Sequence, residues 1–450
     1  MNQNVTQKLG LLAAVAVVLG NIVGVMVFLT PAIAAKHLPW DSWYLAAWAV
    51  GGAVALLGAL ALGELGAMMP EAGGDYIFIR EAYGERTAFL SGWTSVVITF
   101  PGSIAAMAVG LCFYQGPALL GGWVRAPLFT LTFGDWYYTL SGAQLLGLGV
   151  ILLLTTVNHL GLKLTGWVQT AITATPLLLL LTAGVAALFV ASPAGALPKV
   201  STANMSPWLG LWPAIVPIFF AYAGWNVTTY IGGEIREPGR NIPRSLIIGT
   251  ALAVVVYLVV NWVFLQGVPA ASMTKVPFVP AVAVSRLFGG WAGSVLTLVI
   301  ALAVLGSLNA TVLAGARISY AMAGHGLAFG FLRNRSDRFT TPAAALWIQA
   351  AVAAALVLTG RFDQLVKYVV AVMLVFSSIA VAAVIVLRFR RPELDRPYRA
   401  WGYPATPIAY VLFSIAAVIG LCVKSPTEVI WGLLITALGL PAFEWLRRRR

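Results

Sequence analysis

Residues 9–35 read LGLLAAVAVVLGNIVGVMVFLTPAIAA, without one charged side chain. That run is longer than the roughly 20 apolar residues a helix needs to cross a bilayer. Similar runs recur at 43–69, 88–120, 137–158, 164–191, 205–233, 246–267, 287–316, 342–360, 368–387, 405–423 and 429–443. None shows the apolar-polar alternation of a barrel strand, and continuous apolar runs favour helices, which satisfy their own peptide groups in lipid. The sequence therefore predicts an all-α membrane protein of about twelve transmembrane helices. Its composition agrees: 60% hydrophobic and 10% charged residues, with mean hydropathy +0.89, against about 45–50% and 25% in soluble domains. The first run is too long for a signal-peptide core and has no small-residue cleavage pattern before Pro31, so it is read as a retained helix.

The formal charge of +13 reflects topology rather than nucleic acid. With the amino terminus in the cytoplasm, Lys8, Arg80, Arg86, Lys163, Arg236, Arg240, Arg244, Arg317, Arg333, Arg335, Arg338, Arg388, Arg390, Arg391, Arg396, Arg399 and the terminal 447–450 arginines share one face. Lys36, Arg125, Lys199, Lys275, Arg286, Arg361, Lys367 and Lys424 fall opposite. This asymmetry fits the positive-inside rule and predicts a multi-pass inner or plasma membrane protein with both termini cytoplasmic. Cys112 and Cys422 lie in apolar runs, and His37, His159 and His325 are isolated. No disulfide framework, metal cluster, phosphate loop or nucleophile motif is visible, so neither a cofactor nor an enzyme activity is expected.

No soluble domain interrupts the runs. The first contains Gly20–Met26, GNIVGVM, and the sixth contains Phe219–Asn226, FFAYAGWN. Glycine permits local unwinding at Gly20, Gly24 or Gly224, leaving peptide groups to be satisfied by protein or by a cavity. Two breaks five helices apart suit a five-plus-five inverted repeat of the LeuT type, with broken helices one and six. The repeats would cover about 9–191 and 205–387, with two extra helices over about 405–446. The plainer reading of Gly20 and Gly24 is close helix packing at GxxxG spacing.

Five further strings carry a resemblance. GNIVGVMVFLTP, GELGAMMPEAGGDYIF, FAYAGWNVTTYIGGEIREPGRNIPRSL, GSLNATVLAGARISYAMAGHG and LRFRRPELDRPYRAWGYP resemble, in order and spacing, segments of the amino acid-polyamine-organocation superfamily, above all its L-amino-acid transporter branch. The resemblance implies a secondary transporter moving a small amino acid by alternating access, as exchanger or ion-coupled symporter. An amine or polyamine carrier of the same fold is the alternative, and a channel a more distant one. It also implies a substrate site formed by Asn21, Ile22, Val23, Gly24, Val25, Met26, Phe219, Phe220, Ala221, Ala223, Gly224 and Asn226. The backbone around Ile22–Met26 would receive the carboxylate, carbonyls near Phe219–Ala221 the ammonium, and Phe220 would close over both. Physically, a half-helix N-terminus and free carbonyls suit the two ends of a zwitterion without a charged side chain.

Two positions depart from the family pattern. Val25 and Met26 replace its Ser-Gly, so either fewer donors hold the carboxylate or the substrate's head differs. Pro176 stands where the branch often has a lysine in the fifth helix, which leaves proton, sodium and pure exchange open. Glu64, inside the second run, is a candidate for coupling or for structural pairing. Glu234 and Arg240, with Arg236 and Arg244, are candidates for a cytoplasmic gate or a solvated turn. Trp225 suits helix packing. The interval 121–136 has no cysteine, so the disulfide-linked ancillary subunit of animal relatives is not expected. The expected partners are the substrate and the lipid bilayer, with no nucleic acid.

Overall fold

Because lipid offers no partner for a bare peptide group, each apolar run is pressed into helix. The computed structural model describes residues 9–133, 136–190, 197–202, 205–334, 336, 338–339, 341–359, 362–424 and 426–448. Of the basic residues assigned to membrane faces, Lys8, Arg335, Arg361, Arg449 and Arg450 lie outside them.

The chain begins with α1 (Leu11–Ile22) and α2 (Met26–Ala35), bent by 43° at their junction, then α3 (Asp41–Met68) and a short α4 (Asp75–Tyr83). Next come α5 (Glu85–Thr94), a π turn (Ser95–Thr99) and α6 (Phe100–Leu120), together one 36-residue apolar span. A hairpin of β1 (Pro127–Phe133) and β2 (Trp136–Ser141) follows, paired antiparallel. Then come α7 (Gly142–His159), α8 (Leu162–Ala187), α9 (Pro207–Ala221), α10 (Val227–Tyr230), α11 (Pro238–Gly267), α12 (Val279–Phe288) and α13 (Trp291–Gly324). The chain ends with α14 (Ala343–Leu358), α15 (Phe362–Arg390), α16 (Ala405–Lys424), α17 (Pro426–Ala437) and α18 (Gly439–Arg447).

Among the described residues nine helices are long and apolar enough to cross a membrane, or ten with α1 and α2 taken as one bent span. The sixth and ninth runs of the sequence become shorter apolar helices, Pro207–Ala221 and Ala343–Leu358. The start of the fourth run needs correction. The fourth run was expected to be helical from residue 137, but β2 occupies Trp136–Ser141. Aromatic and β-branched residues favour extended pairing there, and Ser141 and Gln144 then form the capping box that starts α7.

Glycines on α3 bring it close to its neighbours. A Cβ on Gly52 would lie 2.6 Å from Val254 of α11, and one on Gly58 would lie 2.5 Å from the Trp225 ring. Trp225 is buried and packs on Tyr410. Beside it Tyr44, Trp48, Tyr222 and Tyr257 form an aromatic cluster. The Tyr44 hydroxyl bonds to Asn261, and that of Tyr222 to the Trp48 carbonyl. This cluster is the rigid backing for the point where the sixth run leaves helical geometry.

Candidate functional site

Helix α1 ends because Val23 adopts φ −76°, ψ 82°, and the Gly24 N–H turns back to the Ile22 carbonyl at 2.8 Å. Helix α2 restarts at Met26 with no side chain capping its first turn. The N–H groups of Val25, Met26 and Val27, which have no backbone acceptor among the described residues, therefore face the break with the positive end of the helix dipole, while that of Phe28 is taken by the Val25 carbonyl at 3.1 Å. In the sixth run α9 stops at Ala221, and Gly224 sits at φ +101° before α10 begins. A side chain on Gly224 would be strained in that conformation, and its Cβ would lie 2.5 Å from Asn21 Nδ2.

The two breaks touch. Asn21 Nδ2 donates to the Gly224 carbonyl at 3.0 Å, while Asn21 Oδ1 accepts from Thr311 of α13 at 3.0 Å. The Ser307 hydroxyl reaches the Asn21 carbonyl at 3.0 Å, and Gly24 lies against Ser307. From α11, the Tyr257 hydroxyl is 2.7 Å from the Ile22 carbonyl and 2.8 Å from that of Ala221. One hydroxyl proton cannot serve both acceptors fully, so the two helix ends share a single donor and keep acceptor capacity for another.

The remaining expected residues fall around this junction. Ile22, Val23 and Gly24 are buried, whereas Val25 and Met26 are half-buried. Phe220, Ala223, Gly224 and Asn226 are half-buried, and Ala221 is buried. Phe219 points elsewhere, into Tyr410 and Phe413 of α16. The carbonyls of Phe219 and Phe220 accept from the N–H groups of Tyr222 and Ala223, both at 3.0 Å. That leaves the Ala221 carbonyl, whose donor among the described residues is Tyr257, beside the Ile22 carbonyl, which accepts from both Tyr257 and the Gly24 N–H. None of the expected residues is charged.

The model of the amino acid permease family matches residues 9–442. The chain belongs to the amino acid permease family. It is 28% identical to b(0,+)-type amino acid transporter 1 of Mus musculus, over 96% of this chain and 86% of the relative. It is 28% identical to the serine/threonine exchanger SteT of Bacillus subtilis (strain 168), over 99% and 98% of the two chains. Identity to Asc-type amino acid transporter 1 of Mus musculus is 27%, over 97% and 80%. The expected family is thus the family found, and the breaks are features of a permease.

The candidate gate residues of the permease separate. Glu234 pairs not with Arg240 but with Arg317 of α13, which also donates to the Leu313 carbonyl; Arg317 Nη2 lies 3.1 Å from Glu234 Oε1. Arg240 is exposed and faces Glu237 at 3.8 Å. The neighbouring candidates thus fall into different ion pairs, the buried Glu234 carboxylate with the buried Arg317 and the exposed Arg240 with the exposed Glu237. Glu64, 1% exposed, accepts from Arg388 Nε at 2.9 Å and Nη2 at 2.6 Å, and from the Ala400 N–H at 2.7 Å. Backbone pairing joins the same end of the molecule, with Leu9 bridged to Ile235 and Ala72 to Ile231.

Sequence reasoning missed several groups. Tyr257 carries no local signal, and Ser307 and Thr311 stood unremarked in the quoted GSLNATVLAGA string. Behind Gly20 a buried amide chain runs from Asn158 through Asn309 to Gln169, which donates to Thr173 and to the Gly306 carbonyl. The fifth run thus presents Gln169 and Thr173 to Gly20, with Pro176 buried about one turn further along. Asp75, which opens α4 just after the glycine-rich loop, was also overlooked.

Proposed function

We propose that this permease is a secondary transporter that exchanges small amino acids across the membrane by alternating access. The observation that carries the proposal is the junction of two interrupted helices. There the uncapped N-terminus of α2 lies beside the Ile22 and Ala221 carbonyls, which share the Tyr257 hydroxyl. The first feature suits a carboxylate, and the second an ammonium group. A substrate lacking the carboxylate would leave the α2 N–H groups without an acceptor, which disfavours an amine. The small serine and threonine handled by the exchanger from Bacillus subtilis suit a site whose residues carry no charge.

Several finer features belong to this reading. The substrate contacts would be Asn21, Ile22, Val23, Gly24, Val25, Met26, Ala221, Ala223, Gly224 and Asn226, with Phe220 as the cover. The two repeats would span about 9–191 and 205–387. The Glu234 and Arg317 pair, with the Leu9–Ile235 bridge, would close the cytoplasmic end, with both termini on the cytoplasmic side of the inner or plasma membrane. The lack of cysteine in 121–136 favours a carrier without a disulfide-linked subunit.

The test is uptake into proteoliposomes. Saturable uptake of labelled serine or threonine, competed by small amino acids and not by their decarboxylated amines, is expected. Equal competition by the amines would replace the amino acid with an amine as substrate. Non-saturating flux would make the protein a pore.

A further inference from the structure

Asp75 is the first residue of α4 and is 8% exposed. Gly73 and Gly74, at φ +129° and +52°, let the preceding loop lie flat against α10; a Cβ on Gly74 would sit 2.5 Å from the Tyr230 ring. The Gly73 N–H also donates to the Tyr230 carbonyl at 3.0 Å. The carboxylate is therefore held rigidly. Tyr230 donates its hydroxyl proton to Asp75 Oδ2 at 2.8 Å, while Asn226 Nδ2 lies 3.2 Å from that oxygen and 3.2 Å from the Tyr230 hydroxyl.

One ionised group fixes every direction in this triad. A carboxylate only accepts, so the Tyr230 proton must point at it, which leaves the phenol oxygen as an acceptor. Both hydrogens of the Asn226 amide are then committed, one to each neighbour. The amide oxygen is turned away and has no protein partner among the described residues. Left to itself an asparagine can present either end by rotating its amide.

We propose that Asp75 is a positioning residue for transport: it locks the Asn226 amide with its oxygen toward the substrate, as an acceptor for the substrate's ammonium or hydroxyl donor. This rests on the reading of Asn226 as a substrate contact. Burial raises the Asp75 pKa to about 6, against the opposing effect of the bonds from Tyr230 and Asn226, and no cation among the described residues offsets its charge. The titratable groups facing it are the phenols of Tyr230 and, from α16, Tyr410. Next along α4, Tyr76 bonds to His325, whose imidazole is held below its ordinary pKa by burial and by Arg80, against Glu71, Glu81 and Glu85.

The test measures exchange kinetics in proteoliposomes from pH 5 to 8 for the wild type, Asp75→Asn and Tyr230→Phe. In the wild type the apparent KM for a small amino acid should rise as pH falls through about 6. Asp75→Asn should show a KM raised about tenfold or more at every pH, a flat profile, and a maximal rate within about twofold of wild type. Tyr230→Phe loses a bond that stabilises the anion, so its KM should begin to rise at a higher pH. An Asp75→Asn variant with wild-type KM overturns the proposal, as does one that keeps the wild-type pH profile, which would then belong to His325. Loss of maximal rate at unchanged KM would make Asp75 merely structural. Should Asp75→Asn not fold, an unshifted profile in Tyr230→Phe overturns the proposal by itself. A wild type without saturable amino-acid uptake at pH 7.5 defeats the functional reading instead, a result distinguishable from all of these.

Discussion

At the scale of single residues, Gly20 and Gly24 fall into two kinds that sequence spacing alone left together. Gly20 is a packing residue, since a Cβ there would lie 2.1 Å from Gln169 Nε2, whereas Gly24 sits in the break itself. Gly20 thus follows the packing reading of the GxxxG pair, and Gly24 lies at the helix interruption. Gly224 is a third case, in which the backbone conformation decides. Gly224→Ala should cost about 1–2 kcal/mol in backbone strain and displace Asn21, lowering uptake at least tenfold while the protein is still produced. Gly149→Ala, where nothing lies within 4 Å, should leave uptake unchanged and gain up to about 1 kcal/mol in helix propensity. Asp75 allows a stability prediction as well. Its folded pKa of about 6 lies above its ordinary value of 3.8, so its contribution is most favourable below pH 3.8 and is lost as pH rises through 6. At pH 7.5 the buried anion costs on the order of 3 kcal/mol. Asp75→Asn should therefore melt no lower than wild type at pH 7.5, and its advantage should shrink towards pH 4. A melting temperature that falls equally at both pH values would contradict this.

At the scale of elements, most of the architecture was legible because hydropathy is a local property. Every predicted run contains a helix, and the described ends differ where charge or turn chemistry, rather than apolarity, sets the boundary. The missed hairpin shows the limit: PLFTLTF and WYYTLS are apolar enough to blend into the following helix. Pairings across the chain were less legible. Glu64 was visible as an ionisable residue in an apolar run, yet its partners Arg388 and Ala400 lie more than 300 residues away. Arg388 also stacks over the Tyr403 ring at 3.8 Å, so one carboxylate ties the connector before α16 to α3. Removing the carboxylate leaves the half-buried Arg388 and the buried side chain of Arg396, whose Nε lies 3.4 Å from Glu64 Oε1, without their counter-charge, at a cost of up to about 3–5 kcal/mol. Glu64→Gln should therefore lower the yield and melting temperature of the protein. If Glu64 is structural, what remains active should keep the wild-type pH dependence of uptake; a changed profile would return Glu64 to a coupling role.

At the scale of the whole molecule, the proposed substrate junction and the proposed closure at one end together bear on why transport should be exchange. To change sides, a carrier must pass through a state closed at both ends, in which water is excluded from the breaks. Without substrate that state leaves the Val25, Met26 and Val27 N–H groups unpaired, and the Ala221 carbonyl must share the Tyr257 proton with the Ile22 carbonyl, which also accepts from the Gly24 N–H. Each buried, unsatisfied polar group costs about 1–3 kcal/mol. An amino acid supplies an acceptor to the first and donors to the second, so the loaded carrier escapes a penalty that the unloaded one bears. With two such groups the return of the unloaded carrier should be slower by about 30-fold or more. Uptake of labelled serine should consequently be small into vesicles containing buffer alone, and rise at least tenfold when they are preloaded with the unlabelled amino acid. Tyr257→Phe removes the one donor the carbonyls share in the unloaded state, so it should widen the ratio between preloaded and unloaded uptake rather than narrow it. A ratio near one in the wild type would mean that the unloaded carrier returns freely, and the exposed peptide groups would then have to be satisfied by something other than substrate.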